Sequence, residues 1–254
     1  MIDLHCHILP GLDDGAQAES DLLDMAKAAM SDGITTIVAT PHHKNGSYEN
    51  TKHTILAAVE SANQVLQTNA LDLKILPGQE CRVYGELIED LENGKVLSMN
   101  DSKYLFVEFP SSEVPRFSKK LFYDIQMAGK IPVIVHPERN QVFMKKPEML
   151  YEFVKNGALT QVTAASVAGK FGKKIASFSL ELIEANLTHF IASDAHNVKS
   201  RAFHLTDAYN RVREEIGEDR VYFFQENAAY LIDGDHVMVE QPKHMKKKKV
   251  LGLF

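Results

Sequence analysis

Short β-branched and aliphatic runs alternate along the chain with longer segments whose apolar positions recur at the helical period. The strand candidates are Ile2–His7, Thr35–Thr40, Leu73–Gly78, Tyr104–Phe109, Pro132–His136, Leu159–Thr163 and His189–Ser193. The helix candidates are Glu19–Ser31, Lys52–Asn69, Tyr84–Asn93, Ser118–Gly129, Pro147–Asn156, Lys173–Glu184 and Phe203–Gly217. In the first helix, Leu22, Leu23, Met25, Ala26, Ala29 and Met30 share one period. Gly33, Gly129 and Gly157 stand where helices should stop. This alternation predicts an α/β fold with a parallel sheet. An open doubly wound sheet is the rival of a barrel. Closure is expected here, because only a closed sheet brings polar residues from nearly every strand to one point.

Those polar residues sit at the C-terminal ends of the strands. His5 and His7 are two apart, so both side chains point to one face. Asp13-Asp14-Gly15 follows in the next loop. Thr40-Pro41-His42-His43 ends the second strand, Gly78-Gln79-Glu80 the third and Val107-Glu108-Phe109 the fourth. His136 closes the fifth, and Asp194 with His196 the seventh. The sixth strand alone ends without a ligand type, at Thr163-Ala164-Ala165-Ser166. A lone His or Glu at a strand end is usually a hydrogen-bonded structural residue. Four carboxylates at one mouth need positive charge. Imidazole and carboxylate without cysteine suit borderline or hard divalent cations. The expected ligands are His5, His7, Asp14, His42, Glu80, Glu108, His136, Asp194 and His196. They are too many for one ion and suit a cluster of two or three. Three divalent ions against four carboxylates and a bridging hydroxide would leave about one positive charge, enough to hold phosphate.

The 254 residues match the length of one β/α barrel. The net charge of −6 counts against nucleic acid as a partner. The N-terminus has no basic region followed by an apolar stretch, so no secretory signal is expected. No apolar run approaches the ~20 residues of a membrane span. With only Cys6 and Cys81, a disulfide scaffold is not expected and a cytoplasmic location is. Residues 1–242 read as one domain. Residues 243–254 read as a basic, mobile tail with an apolar tip. Its lysines suit a phosphorylated kinase tail or peripheral contact with an anionic membrane, or serve solubility alone. The oligomeric state is not set by the pattern.

The segments His5-Cys6-His7-Ile8-Leu9-Pro10, Asp13-Asp14-Gly15, Ala39-Thr40-Pro41-His42-His43, Pro77-Gly78-Gln79-Glu80, Glu108-Phe109-Pro110, His136-Pro137-Glu138-Arg139-Asn140 and Ser193-Asp194-Ala195-His196-Asn197 resemble the PHP (polymerase and histidinol phosphatase) superfamily. Within it they resemble the capsule-regulating bacterial tyrosine phosphatases of the CpsB/YwqE type. The resemblance implies a distorted seven-stranded (β/α)7 barrel holding three metals, with manganese as the usual activating ion. Asp14 and His42 would hold one metal with Glu108. His5, His7 and Asp194 would hold another with Glu80. His136 and His196 would hold the third, bridged by both glutamates. It also implies two phosphate-binding catalytic arginines, Arg139 and Arg201, whose guanidinium forks suit phosphate oxygens.

The resulting expectation is a hydrolase that cleaves phosphotyrosine by attack of a metal-activated hydroxide. The resemblance implies a tyrosine autokinase of capsule or exopolysaccharide synthesis as the protein substrate. The alternative is a PHP phosphoesterase acting on a small phosphate monoester such as histidinol phosphate. A metal-stabilised regulatory binder without turnover is a third reading, disfavoured by the intact ligand set. A cysteine-dependent route is rejected, because no arginine lies six residues beyond Cys6 or Cys81. His43 is a candidate acid or orienting residue. Ala168–Lys174 lacks the spacing of a nucleotide-binding loop, and its lysines either steer an anionic peptide or form a solvated helix start.

Overall fold

The structure, a computed structural model, describes residues 1–245, so the part of the tail expectation at 246–254 lies outside the described residues. The strands are β1 Ile2–Cys6, β2 Thr36–Ala39, β3 His42–His43, β4 Lys74–Pro77, β5 Glu80–Arg82, β6 Tyr104–Glu108, β7 Ile131–Val135, β8 Leu159–Thr163 and β9 Phe190–Ala192. The helices are α1 Glu19–Ser31, α2 Lys52–Thr68, α3 Leu87–Glu92, α4 Ser118–Met127, α5 Gln141–Lys145, α6 Pro147–Lys155, α7 Ala164–Val167, α8 Lys173–Glu184, α9 Leu205–Glu215 and α10 Glu218–Asp233.

All strand pairs are parallel, as the alternation predicts. The closed seven-stranded ladder is not what is found. The described strands form two sheets, ordered β1-β2-β4 and β3-β5-β6-β7-β8-β9. Two breaks in the chain cause the split. Pro41 separates β2 from β3 and has no N–H for a ladder. Gly78 separates β4 from β5, and a Cβ there would stand 2.7 Å from Val38 Cγ1, so only glycine passes. The sheets meet again at the chemistry-bearing end. His7 N–H donates to Ala195 O (2.9 Å) and Asp194 N–H to His5 O (2.8 Å). The first and last ligand pairs are thereby side by side.

Both faces of the strands are buried, which explains their nearly continuous apolar runs. Alternate residues feed two cores. Leu105 and Val107 of β6 join the larger one, packed with the helices, whereas Tyr104 and Phe106 join a smaller one with Ala228 and Leu231 of α10. Helix α10 was not among the expected elements. It packs against β1 and β9, and Asn227 on it ties His189 O to Met238 O. The start of the tail is also docked. Lys243 N–H donates to Ala185 O, and the His244 ring stacks on Tyr151 with centroids 3.9 Å apart. Among the described residues, no helix is long and apolar enough to cross a membrane.

Candidate metal centre and phosphate cleft

The nine expected ligands converge at the C-terminal strand ends. His5 lies in β1 and His7 just beyond it. His42 opens β3, Glu80 opens β5 and Glu108 closes β6. His136 follows β7, while Asp194 and His196 follow β9. His136 and Asp194 have φ of 36° and 53°. Such left-handed backbone is costly for a residue with a Cβ and is held only where the surroundings enforce it, as at functional sites. Seven of the nine are buried, His136 is half-buried, and Asp14 reaches in from an exposed position.

Three donor groups form within ion-binding reach: His5, His7 and Glu80; His42, Glu80 and Glu108; and His7, Asp14, His42 and His196. Glu80 is central. Its Oε2 lies 3.4 Å from both His5 Nε2 and His7 Nε2 and 2.8 Å from His42 Nδ1, and its Oε1 lies 2.7 Å from His136 Nε2. Asp194 Oδ1 stands 3.3 Å from His7 Nε2 and 3.6 Å from His5 Nε2. In these groups His196 lies with His7, Asp14 and His42, its Nε2 3.4 Å from Asp14 Oδ1, while His136 and Asp194 belong to none of the three.

Electrostatics test whether cations fit. His42 Nδ1 and Glu80 Oε2 are close but not aligned for a hydrogen bond. With Glu108 Oε2 and His196 Nε2, they are buried atoms without a hydrogen-bond partner. Buried polar atoms are rarely left so, and converging lone pairs are what a cation satisfies. Burial and the charge of Glu80 push Glu108 up to about 7. Burial, then Arg139, pushes His136 down to about 4. Burial, then His7, does the same to His196. Both rings are therefore neutral donors, as ligation requires. Burial also opposes a charge on His42, but Glu80 and Asp14 outweigh it and raise the ring to about 10. That proton stands where divalent charge would do the same compensation. The all-N/O donor set fits manganese, zinc or similar ions.

Arg139 and Arg201 meet over this cluster. Both guanidinium groups hold Asp194 Oδ2, Arg201 at 3.0 Å. Arg201 Nη1 also lies 3.7 Å from Asp14. Both arginines line a cleft of about 240 Å³ with His42, Glu108, His136 and Asp194. Phe109, Phe143 and Ser111 also line it. A larger groove of about 780 Å³ beside α5 and α6 contains none of the nine ligands. His43 points away from the cluster. Its ring lies edge-on to Tyr84, and burial, then Lys44, lowers its pKa. Lys170 is paired with Asp207 (3.2 Å). Phe171 of the same loop lies 5.9 Å from the Arg139 guanidinium. Cys6 and Cys81 are buried in the core and free, and burial first raises both thiols.

Three residues with no assigned role complete the centre. Asp13 holds His7 Nδ1 at 2.6 Å and accepts the N–H groups of Gly15 and His42. Gln161 holds His5 Nδ1 at 2.9 Å. Arg82 Nε lies 3.1 Å from Glu108 Oε2. For Asp13 a signal existed. The Asp-Asp-Gly loop must fold back on His7, since a Cβ at Gly15 would lie 2.0 Å from His7 O. Gln161 and Arg82 carry no such signal, Gln161 being an ordinary strand residue in the sequence and Arg82 falling between an expected strand and an expected helix.

Known proteins resemble this chain along its whole length. The chain is 48% identical to tyrosine-protein phosphatase YwqE of Bacillus subtilis over 100% of both chains. It is 30% identical to tyrosine-protein phosphatase CpsB of Streptococcus pneumoniae, over 85% of this chain and 91% of that one. A solved structure, from crystallography of YwqE from Bacillus subtilis and CpsB from Streptococcus pneumoniae as metal-dependent tyrosine phosphatases, superimposes with a TM-score of 0.95. It shares 48% identity and covers 97% of this chain and 100% of that one. A mutant organophosphorus hydrolase from Deinococcus radiodurans, 13% identical with a TM-score of 0.57 over 91% of each chain, shares the fold alone. Residues 1–233 match the family model described as capsular polysaccharide synthesis, CpsB/CapC, and the chain belongs to that family.

Proposed function

We propose that this chain is a metal-dependent protein tyrosine phosphatase of the PHP type. Its substrate is a tyrosine-phosphorylated protein in the cytoplasm, a tyrosine autokinase of capsule or exopolysaccharide synthesis, and manganese is its activating ion. The observation that carries the reading is the pair of guanidinium groups beside three convergent donor groups in one cleft. The names of the relatives and the family description support it.

His5, His7, Asp14, His42, Glu80, Glu108, His136, Asp194 and His196 would hold the ions, with Glu80 shared between groups. Bound divalent ions supply the Lewis acidity that turns water into a nucleophile at neutral pH. Arg139 and Arg201 bind the phosphoryl oxygens and neutralise their growing charge. Asp194 holds both guanidinium groups until substrate arrives, so they are oriented in advance. Phe109 and Phe143 receive the phenyl ring and keep bulk water from the reacting phosphorus. The leaving phenolate, of pKa about 10, needs less proton help than a serine alkoxide.

Phosphate release from a phosphotyrosine peptide and its phosphoserine counterpart, with manganese and with a chelator, tests the reading. Tyrosine-selective, chelator-sensitive release is expected. Turnover confined to small phosphate esters would replace the protein substrate by a small molecule. No release from any ester would end the phosphatase reading.

A further inference from the structure

Strand β8 is the strand whose end offers no ligand, yet Gln161 within it is fully buried and touches two. Its backbone O accepts the His136 N–H at 2.7 Å. Its side-chain Nε2 donates to Val162 O at 2.8 Å. A carbonyl oxygen only accepts, so the amide nitrogen is committed to it and the amide oxygen faces His5 Nδ1. An amide oxygen also only accepts, so the proton of that bond belongs to His5 Nδ1. The opposite nitrogen, His5 Nε2, then presents its lone pair 3.4 Å from Glu80 Oε2, 3.6 Å from Asp194 Oδ1 and 3.3 Å from His7 Nε2.

We propose that Gln161 is a positioning residue that locks His5 in the Nδ1–H tautomer and leaves Nε2 free for a divalent cation. The inference rests on the metal reading above. The choice of an amide has a physical reason. His7 is already oriented by a carboxylate, Asp13, and the centre holds Asp14, Glu80, Glu108 and Asp194 as well. A neutral tether orients His5 without adding a further buried negative charge.

Two measurements test it. Manganese titrations by calorimetry compare the wild type with Gln161→Leu, which fills the space without an acceptor, and Gln161→Glu, which restores one. The leucine variant should bind its tightest manganese about 10- to 100-fold more weakly. The glutamate variant should bind more tightly than the leucine variant but less tightly than the wild type, because it restores the acceptor while adding a buried charge and removing the donor to Val162 O. Unchanged affinity in a folded leucine variant would overturn the proposal. If that variant fails to fold, long-range 1H–15N correlation spectra of the wild type decide, in the metal-free protein and with zinc as a diamagnetic probe. A proton on Nδ1 of His5 is expected, and a proton on Nε2 with Nδ1 bare would sink the idea. Wild-type protein that binds neither metal would refute the metal reading instead, leaving the tautomer result separately readable.

Discussion

At Glu80 four imidazoles share one carboxylate, and each of its oxygens faces a different set of them. Replacing it by glutamine keeps the shape and removes the charge. Glu80→Gln should lose most bound metal, seen by elemental analysis, with kcat/KM for phosphotyrosine peptide reduced about 10²–10³-fold. Arg139→Lys tests a different link. Lysine keeps the charge but cannot hold Asp194 and a phosphate oxygen with one planar fork. kcat/KM should fall about 10²-fold while metal content stays near wild type. Equal losses of both quantities would instead make Arg139 a support of the metal site. Cys6→Ser should retain near wild-type turnover, since the thiol is buried, raised in pKa and donates to Ala195 O. Loss of turnover in a folded Cys6→Ser protein would reopen thiolate chemistry. At this scale the candidate donors were legible as residue types at strand ends. Of their orienting partners, Asp13 left a signal in its loop and Gln161 left none. Gln161 looks like any polar residue in a strand until β8 is laid beside β7 and its side chain meets His5 of β1.

The element scale shows where linear pattern and packing diverge. Helix α10 carries Val221, Phe224, Ala228 and Leu231 on a helical period between Gly217 and Gly234, so its periodicity was readable. A strand–helix alternation gives it no strand of its own, and its packing against β1 and β9 emerges only in three dimensions. Leu231→Ala should cost about 2–5 kcal/mol by denaturant unfolding, because the side chain is fully buried in the smaller core. A loss below about 1 kcal/mol would mean that this core collapses around the gap. The breaks at Pro41 and Gly78 are legible as residues with special backbones. Their consequence, one expected sheet divided into two, depends on the close crossing of Val38 over Gly78.

For the whole molecule, ligation and folding are linked. Ions that bind only the folded chain stabilise it by about 2.7 kcal/mol per site at a hundredfold excess over Kd. A chelator should therefore lower the melting temperature and manganese should restore it; an unchanged melt would count against the metal centre. A pH effect arises away from the centre. Burial, then Arg220, holds His189 down at about 3, against an ordinary value of 6.5. Between those values the unfolded chain binds the extra proton. Stability from this group is thus complete above 6.5 and is lost as pH falls toward 3. The slope is about 1.4 kcal/mol per pH unit at most. Urea midpoints of wild type and His189→Gln across that window should converge at low pH. Parallel curves would exclude His189 as the source.

The order of elements, the parallel sense of the strands and the chemical types of the ligands follow from local causes. These are side-chain periodicity, turn residues and the preference of cations for imidazole and carboxylate. Each acts within a few residues and leaves its trace in the linear chain. Which donors share an ion site does not. His196 sits with His7, Asp14 and His42, Glu80 occupies the middle, and Asp13 and Gln161 take hold of the histidines behind them. Those pairings join residues as far apart as His5 and Gln161. They are set by strand register and by the meeting of the two sheets at His7 and Ala195, quantities that exist only once the chain has closed on itself.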